Sequence, residues 1–188
     1  MSNLTDFFPS GGGGGLTPKF EEFNASGTFT PTQALIDAGG YIEVFLVAAG
    51  GSNPDAYRSG AGGEVIMKNM YLNSTSSCSV IIGAGVASAA GGNSEFLGSS
   101  AGGLDITCLG GGGSPTQSGQ MGAGFGSSSS NAYPSAGAGS GTLGYGAGGA
   151  NQQAGGGGGV YVAKANSGQG VSRYQAGGSG YCLIKWYE

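Results

Sequence analysis

Histidine is absent from the 188 residues of the chain. Catalytic arrangements that use an imidazole as general base, such as Ser-His-Asp and Cys-His, therefore cannot form, and neither can histidine-ligated metal sites. The carboxylates are scattered along the chain. The adjacent Glu21 and Glu22 are expected to be solvated surface charges rather than the converging pair that a glycosidase needs. The sequence predicts no catalytic residue, no metal site and no cofactor.

Charge of either sign is also scarce. Only 9% of the residues are charged, against about 25% in an average protein, and six lysines and arginines against ten acidic residues leave a net charge of −4. Contacts with phosphates need a basic face, so we expect no nucleic-acid partner. A run of about 20 apolar residues is missing, so we expect no membrane insertion. The first residues lack the basic region and apolar core of a secretory signal, which predicts synthesis in a cytoplasm.

Cysteines are few, odd in number and far apart. Cys78, Cys108 and Cys182 each lie in an apolar run, within SCSVIIG, DITCLGG and GYCLIKW respectively. We therefore expect buried, small hydrophobic side chains rather than a disulfide framework or metal ligands.

Glycine is what the chain has in excess, with 45 residues, and there is no strict G-X-Y period to indicate collagen. The longest glycine-rich run covers Gly110–Gly159, and no charged residue occurs between Asp105 and Lys164. Such a run cannot bury an ordinary core, and ordering it is costly because glycine loses much backbone freedom. It is either a flexible linker or a set of polyglycine helices of the polyproline II type, packed backbone to backbone.

Strand patterns flank this run on both sides, separated by glycine-rich turns at Gly50–Gly51, Gly60–Gly63, Gly83–Gly92 and Gly98–Gly103. The strongest is Tyr41–Ala49, whose two mostly apolar faces predict a central strand that is covered on each side. Thr32–Ala38 predicts a helical turn or two. The other predicted strands lie near Phe20 and Phe23, at Gly27–Pro31, Glu64–Leu72, Ser77–Ile82, Ser94–Leu97, Leu104–Leu109, Val160–Ala165, Val171–Gln175 and Tyr181–Glu188.

This pattern predicts an all-β fold, an antiparallel β-sandwich of jelly-roll type over residues 20–188. The glycine-rich run is then an insertion between strands, which favours the ordered polyglycine alternative over the linker.

Residues 1–19 form a separate piece in this interpretation. An apolar patch of Leu4, Phe7, Phe8 and Pro9 precedes a hinge at Gly11–Gly15. Two adjacent phenylalanines need a place to be buried, so we predict a peptide that docks on a partner. A frayed terminus is the alternative.

Candidate binding residues are aromatic and polar side chains set among glycine and serine, which is the composition of antibody binding loops. The glycine-rich run supplies the first group: Phe125, Asn131, Tyr133, Leu143 and Tyr145, with the amides of Gln152 and Gln153. Tyr57 and Arg58, in the turn SNPDAYRSG, form the second group. Alternatively, Tyr133 and Tyr145 pack between glycine-rich helices, and Tyr57 and Arg58 belong to an ordinary exposed turn.

A recurring succession of strand and glycine turn is visible in six segments: VFLVAAGG (44–51), GAGGEVI (60–66), SVIIGAG (79–85), GGNSEF (91–96), LDITCLGGGG (104–113) and GGSGYCLIKW (177–186). Over roughly residues 40–188 this succession resembles the glycine-rich domain of bacteriophage tail-fibre and tail-tip proteins. The resemblance implies polyglycine helices packed in layers and host recognition through loops at the ends of these helices.

The function implied by this resemblance is that of a virion protein, a tail-fibre or tail-tip adhesin. It would attach to another virion protein through its N-terminal peptide and bind a bacterial surface receptor, either a glycan or an outer-membrane protein. A homotrimer follows only by analogy with tail fibres. Two alternatives remain: a non-adhesive virion structural protein, such as a fibre cap or capsid decoration, and a tail-associated polysaccharide depolymerase.

Overall fold

A computed structural model of the chain describes residues 15–52, 60–112, 165–171 and 175–188. Its elements, in chain order, are β1 (Pro18–Phe23), β2 (Gly27–Phe29), α1 (Gln33–Asp37), β3 (Tyr41–Val47), β4 (Val65–Tyr71), β5 (Cys78–Ile81), β6 (Ser94–Leu97), a 3-10 helix (Ser99–Ala101), β7 (Ile106–Cys108) and β8 (Tyr181–Tyr187). No helix in these ranges is both long enough and apolar enough to cross a membrane.

The strands form two antiparallel sheets of four strands each. The first sheet has the order β1-β8-β3-β4, and the second has the order β2-β5-β6-β7. The predicted all-β class is therefore confirmed. The last strand, β8, lies between β1 and β3, so residues far apart in sequence close the first sheet.

The two sheets share one hydrophobic core. Strand alternation places every second side chain on the inner face of each strand. The ring of Phe29 from the second sheet meets Trp186 from the first sheet edge-on, with 5.3 Å between the ring centres. The shared cluster takes buried side chains from all eight strands: Phe23, Phe29, Ile42, Val44, Leu46, Met70, Cys78, Val80, Phe96, Ile106, Cys108, Cys182, Ile184 and Trp186.

Strand β3 is central, as its sequence predicts, because β8 and β4 pair with its two edges. Its inner face is buried. On its outer face Phe45 and Val47 are also buried, in a second small cluster with Tyr181, whereas Glu43 is exposed. The prediction that both faces of β3 are covered is therefore confirmed at Phe45 and Val47. It is wrong at Glu43, whose carboxylate is exposed to solvent.

The predicted helical turns are present as α1. The Thr32 side chain caps the helix by accepting a hydrogen bond from the Leu35 backbone N–H at 3.0 Å, and Leu35 is buried. At the other end, Gly39 and Gly40 adopt positive φ angles of 103° and 69°. The backbone of a residue with a side chain would be strained at these angles, so glycine suits the end of the helix. The Thr32 hydroxyl also donates to the Glu188 carboxylate and lowers the pKa of that group.

Candidate functional site

Six glycine-rich segments pack against one another at the ends of the strands: residues 48–52, 60–64, 83–92, 109–112, 168–171 and 176–180. We call them the glycine bundle. Four of them adjoin a strand directly: residues 48–52 follow β3 and 109–112 follow β7, whereas 60–64 precede β4 and 176–180 precede β8. These segments bond to several neighbours in turn instead of running as a ladder along one partner.

The middle segment shows this most clearly. The backbone N–H groups of residues 48 and 51 donate to the second segment, at Glu64 (3.0 Å) and Ala61 (2.9 Å). The N–H groups of residues 49 and 52 donate to the third segment, at Gly92 (3.1 Å) and Ala89 (2.9 Å). The N–H of residue 50 donates to Gly178 at 2.9 Å. The partner thus changes at every residue and recurs every third residue.

The carbonyl groups of the same middle segment face two further neighbours. The Ala49 carbonyl accepts from the N–H of Gly111 at 2.8 Å, and the Gly51 carbonyl accepts from Val171 at 3.0 Å. Residues 48–52 are therefore enclosed by all five other segments. Because backbone groups satisfy one another, this interior needs no side-chain core.

Glycine is required in the bundle because the backbones approach too closely for a side chain. An ideal Cβ on Gly50 would lie 2.1 Å from the Gln169 carbonyl oxygen, and one on Gly60 would lie 2.0 Å from the Gly51 oxygen. Similar overlaps occur at Gly51, Gly63, Gly91, Gly110, Gly111, Gly170 and Gly177. Among the bundle glycines that the structure describes, only Gly168 has a positive φ, so close approach rather than left-handed backbone explains the composition.

A second candidate surface is the outer face of the first sheet. Tyr41 on β3 pairs with Tyr71 on β4, and their rings meet edge-on at 5.4 Å. On the other side of β3, Trp186 of β8 pairs with Ile42. The next residue of β8, Tyr187, therefore lies beside Tyr41 and extends the row. Tyr71 is 67% exposed and Tyr187 is 52% exposed. We call these three side chains the tyrosine row.

The next two rows of this face line a groove of about 220 Å³. Lys185, Glu43 and Asn69 lie side by side on β8, β3 and β4, and the row after them contains Leu183, Phe45 and Met67. Val44 and Lys68 complete the lining. Partial burial, together with the adjacent Glu43 carboxylate, raises the pKa of the Tyr41 hydroxyl. The groove thus combines an apolar floor with a carboxylate, an ammonium group and an amide.

The three cysteines are buried free thiols, as the sequence predicts. The Cys108 thiol donates to the carbonyl oxygens of Glu64 at 3.0 Å and Leu46 at 3.4 Å. Burial raises the pKa of Cys108 and of Cys182 to about 12, so neither thiol has the thiolate character that a nucleophile needs. No group of three or more potential metal ligands occurs in the described part of the chain.

All binding residues predicted from the sequence lie outside the described residues, and so do the four apolar residues of the predicted docking peptide. They stay predictions: Leu4, Phe7, Phe8, Pro9, Tyr57, Arg58, Phe125, Asn131, Tyr133, Leu143 and Tyr145. The sequence does not predict the tyrosine row or the groove. The one signal for them in the sequence is a spacing of two residues on predicted strands, between Tyr41 and Glu43 and between Lys185 and Tyr187, because this spacing places both side chains of each pair on the same face.

Comparison with known proteins adds no relative, because no family model, no curated protein and no solved structure matches the chain.

Proposed function

We propose that this chain is a receptor-binding structural protein of a bacteriophage tail, a tail-fibre or tail-tip adhesin. The observation that carries the proposal is the three-residue recurrence of hydrogen-bond partners along residues 48–52. A backbone with three residues per turn, no internal hydrogen bonds and bonds to neighbours all round has the geometry of a polyglycine helix of the polyproline II type. Packed helices of this kind are the feature that the resemblance to phage tail proteins implies.

The finer fold assignment belongs to the same proposal. We take the bundle segments to be such helices, and the body beneath them to be a jelly-roll-like sandwich. The absence of room for a Cβ at Gly50, Gly60 and Gly111 supports the first part, because only glycine backbones pack this closely. The core shared by all eight strands supports the second part.

The bundle suits the display of loops. Ser52 and Gly60, which flank the segment with Tyr57 and Arg58 in sequence, both belong to the bundle. Gly112 and Gly168, on the two sides of the stretch that contains Tyr133 and Tyr145, belong to it as well. Both candidate groups are therefore flanked in sequence by closely packed backbone. A fixed base lowers the entropy lost when a loop binds, which raises affinity for a receptor.

The remaining parts of the proposal rest on the resemblance and on composition. The N-terminal peptide attaches the protein to another virion protein, the assembly is a homotrimer, and the protein resides in the virion tail. Its partner is a bacterial surface receptor, a glycan or an outer-membrane protein. It acts by binding rather than by catalysis.

We expect the purified protein to adsorb saturably to particular strains in a panel of bacteria, and Tyr133→Ala combined with Tyr145→Ala to abolish this adsorption. Two large aromatic contacts in a binding loop supply much of a binding energy, so their loss is expected to weaken binding at least about 100-fold. Flow cytometry with labelled protein measures adsorption, and chemical denaturation checks that the fold is unchanged.

Ser128→Ala combined with Ser129→Ala, in the same run, is the matched control and should adsorb normally. Unaltered adsorption of the tyrosine variant would exclude these residues as the site. A folded wild-type protein that adsorbs to no strain on which its phage grows would favour a non-adhesive structural protein. Release of sugars from host capsule would favour a depolymerase.

A further inference from the structure

The outer faces of the two sheets differ in character. On the second sheet the outward positions hold Thr28, Ser79, Glu95 and Thr107 beside the aliphatic Ile81 and Leu97, and no aromatic side chain. On the first sheet they hold the tyrosine row, with Met67 67% exposed and Phe20 69% exposed. Exposed aromatic side chains do not stabilise the fold. A group of them on one face typically marks a surface that binds a partner.

The geometry of this face points to a ligand: we infer that the groove binds one ring of a neutral polysaccharide. The tyrosine row stacks against the apolar face of an adjacent ring, and Glu43, Lys185 and Asn69 bond its hydroxyls. The inference goes beyond the proposed function, because it concerns the first sheet and not the candidate residues among the glycines, such as Tyr133 and Tyr145.

The chemistry of the groove favours hydroxyl groups. The Glu43 carboxylate accepts hydrogen bonds, the Lys185 ammonium donates them, and the Asn69 amide does both. Glu43 and Lys185 lie opposite each other on paired strands, yet they are not within 4.0 Å as an ion pair, since the one such pair in the described ranges joins Lys19 and Glu188. The two charges therefore do not neutralise each other in an ion pair, and both can bond to the hydroxyls of a ligand that lies over them.

The size and openness of the groove favour a polymer. Pockets for drug-sized ligands measure roughly 300–1,000 Å³, and this groove of about 220 Å³ is smaller. It has room for a single ring, while the exposed Tyr71 and Tyr187 beside it offer aromatic faces to the neighbouring ring. Tyrosine suits this role because it joins a rigid apolar ring to a polar tip.

The charge on this face favours a neutral ligand. The charged side chains on the outward positions of these rows are the carboxylates of Glu22 and Glu43 and the ammonium group of Lys185, so the face has no excess of positive charge that would attract an acidic polymer. The chain as a whole has a net charge of −4, which repels acidic polymers.

A second copy of the chain fits this face less well. Protein interfaces place aromatic residues at the centre and are depleted of charge there. Here the charged row lies beside the buried Phe45, and the exposed aromatic residues flank it. A protein surface that covered Glu43 and Lys185 would desolvate both charges, which costs several kcal/mol per ion unless each is matched. A hydrated sugar ring leaves them partly in water.

The test is a titration with soluble neutral polysaccharides, namely dextran, galactomannan and a mixed-linkage β-glucan, with alginate as the acidic comparison. Saturation-transfer NMR identifies the polymer that binds, and its affinity is then measured by calorimetry. We expect one neutral polymer to bind and to shift the ring signals of Tyr71. Tyr71→Ala combined with Tyr187→Ala is expected to weaken binding at least about tenfold, and Glu43→Gln by a similar factor.

Thr28→Ala combined with Ser79→Ala, on the opposite outer face, is the matched control and should bind as the wild type does. Absence of binding to any neutral polymer overturns the inference, and so does binding that survives the tyrosine and Glu43 substitutions. Concentration-dependent dimerisation that the tyrosine variant abolishes also overturns it, since the face would then bind a second copy. The outcome is separable from the adsorption assay, because that assay depends on Tyr133 and Tyr145.

Discussion

Gly50→Ala is expected to lower the free energy of unfolding by about 3 kcal/mol or more. The new Cβ would lie 2.1 Å from the carbonyl oxygen of Gln169, which belongs to backbone and cannot swing aside as a side chain would. Overpacking of this kind costs about 1–3 kcal/mol, and each backbone hydrogen bond lost as the segments separate adds roughly 1 kcal/mol. Urea denaturation followed by tryptophan fluorescence measures the loss, since the chain has a single tryptophan.

Gly15→Ala is the control. No atom lies within 4 Å of the position that its Cβ would take, and its φ lies outside the left-handed region. Alanine there should leave stability within about 0.5 kcal/mol of the wild type. If Gly50→Ala proves as stable as Gly15→Ala, the bundle segments do not pack backbone to backbone.

Phe96→Ala is expected to destabilise the protein by about 3–5 kcal/mol. Phe96 lies on β6 in the second sheet, is 0% exposed and belongs to the cluster that both sheets share. Its removal leaves a cavity between the sheets that the surrounding backbone cannot fill. The free energy of unfolding of a typical domain is about 5–15 kcal/mol, so the variant should unfold at a clearly lower urea concentration than the wild type.

Phe20→Ala provides the comparison at an exposed position. Phe20 is 69% exposed on β1, so the same substitution should change stability by no more than about 0.5 kcal/mol. Equal and small losses for both variants would mean that the two sheets do not share a core.

The strands could be predicted from the sequence because their signal is local. The apolar run Tyr41–Ala49 indicates a central strand and the alternation along Tyr181–Glu188 indicates a further strand, and both form, over Tyr41–Val47 and Tyr181–Tyr187. The strand order could not be predicted, because β8 enters between β1 and β3 from a distant part of the chain. That choice depends on which strands bury the most apolar surface together, which no short window contains.

The glycine segments show the opposite case, in which the pattern was visible but its meaning was not local. The sequence predicts turns between strands at Gly50–Gly51, Gly60–Gly63 and Gly83–Gly92, and polyglycine packing only in the long run that begins at Gly110. In the structure these short stretches pack with one another in the bundle. Only Gly98–Gly103 remains a turn, built on the 3-10 helix and the left-handed Gly102. A glycine that turns the chain and one that admits a neighbouring backbone look alike in sequence.

The tyrosine row could not be predicted for a similar reason. Tyr41, Tyr71 and Tyr187 share no sequence spacing, and only the pairing register of three strands brings them side by side. The sequence instead indicates aromatic residues among glycines, such as Tyr133 and Tyr145, because composition is visible without the fold.

Amide hydrogen exchange is the most direct test of the claim that glycine backbone packs here into a rigid scaffold. The N–H groups of Ala49, Gly50, Gly51, Ala61 and Gly111 all donate within the bundle. We expect them to exchange as slowly as the amides of β3, whose protection reflects opening of the shared core. Exchange at the rate of a free glycine peptide, with β3 still protected, would contradict the account.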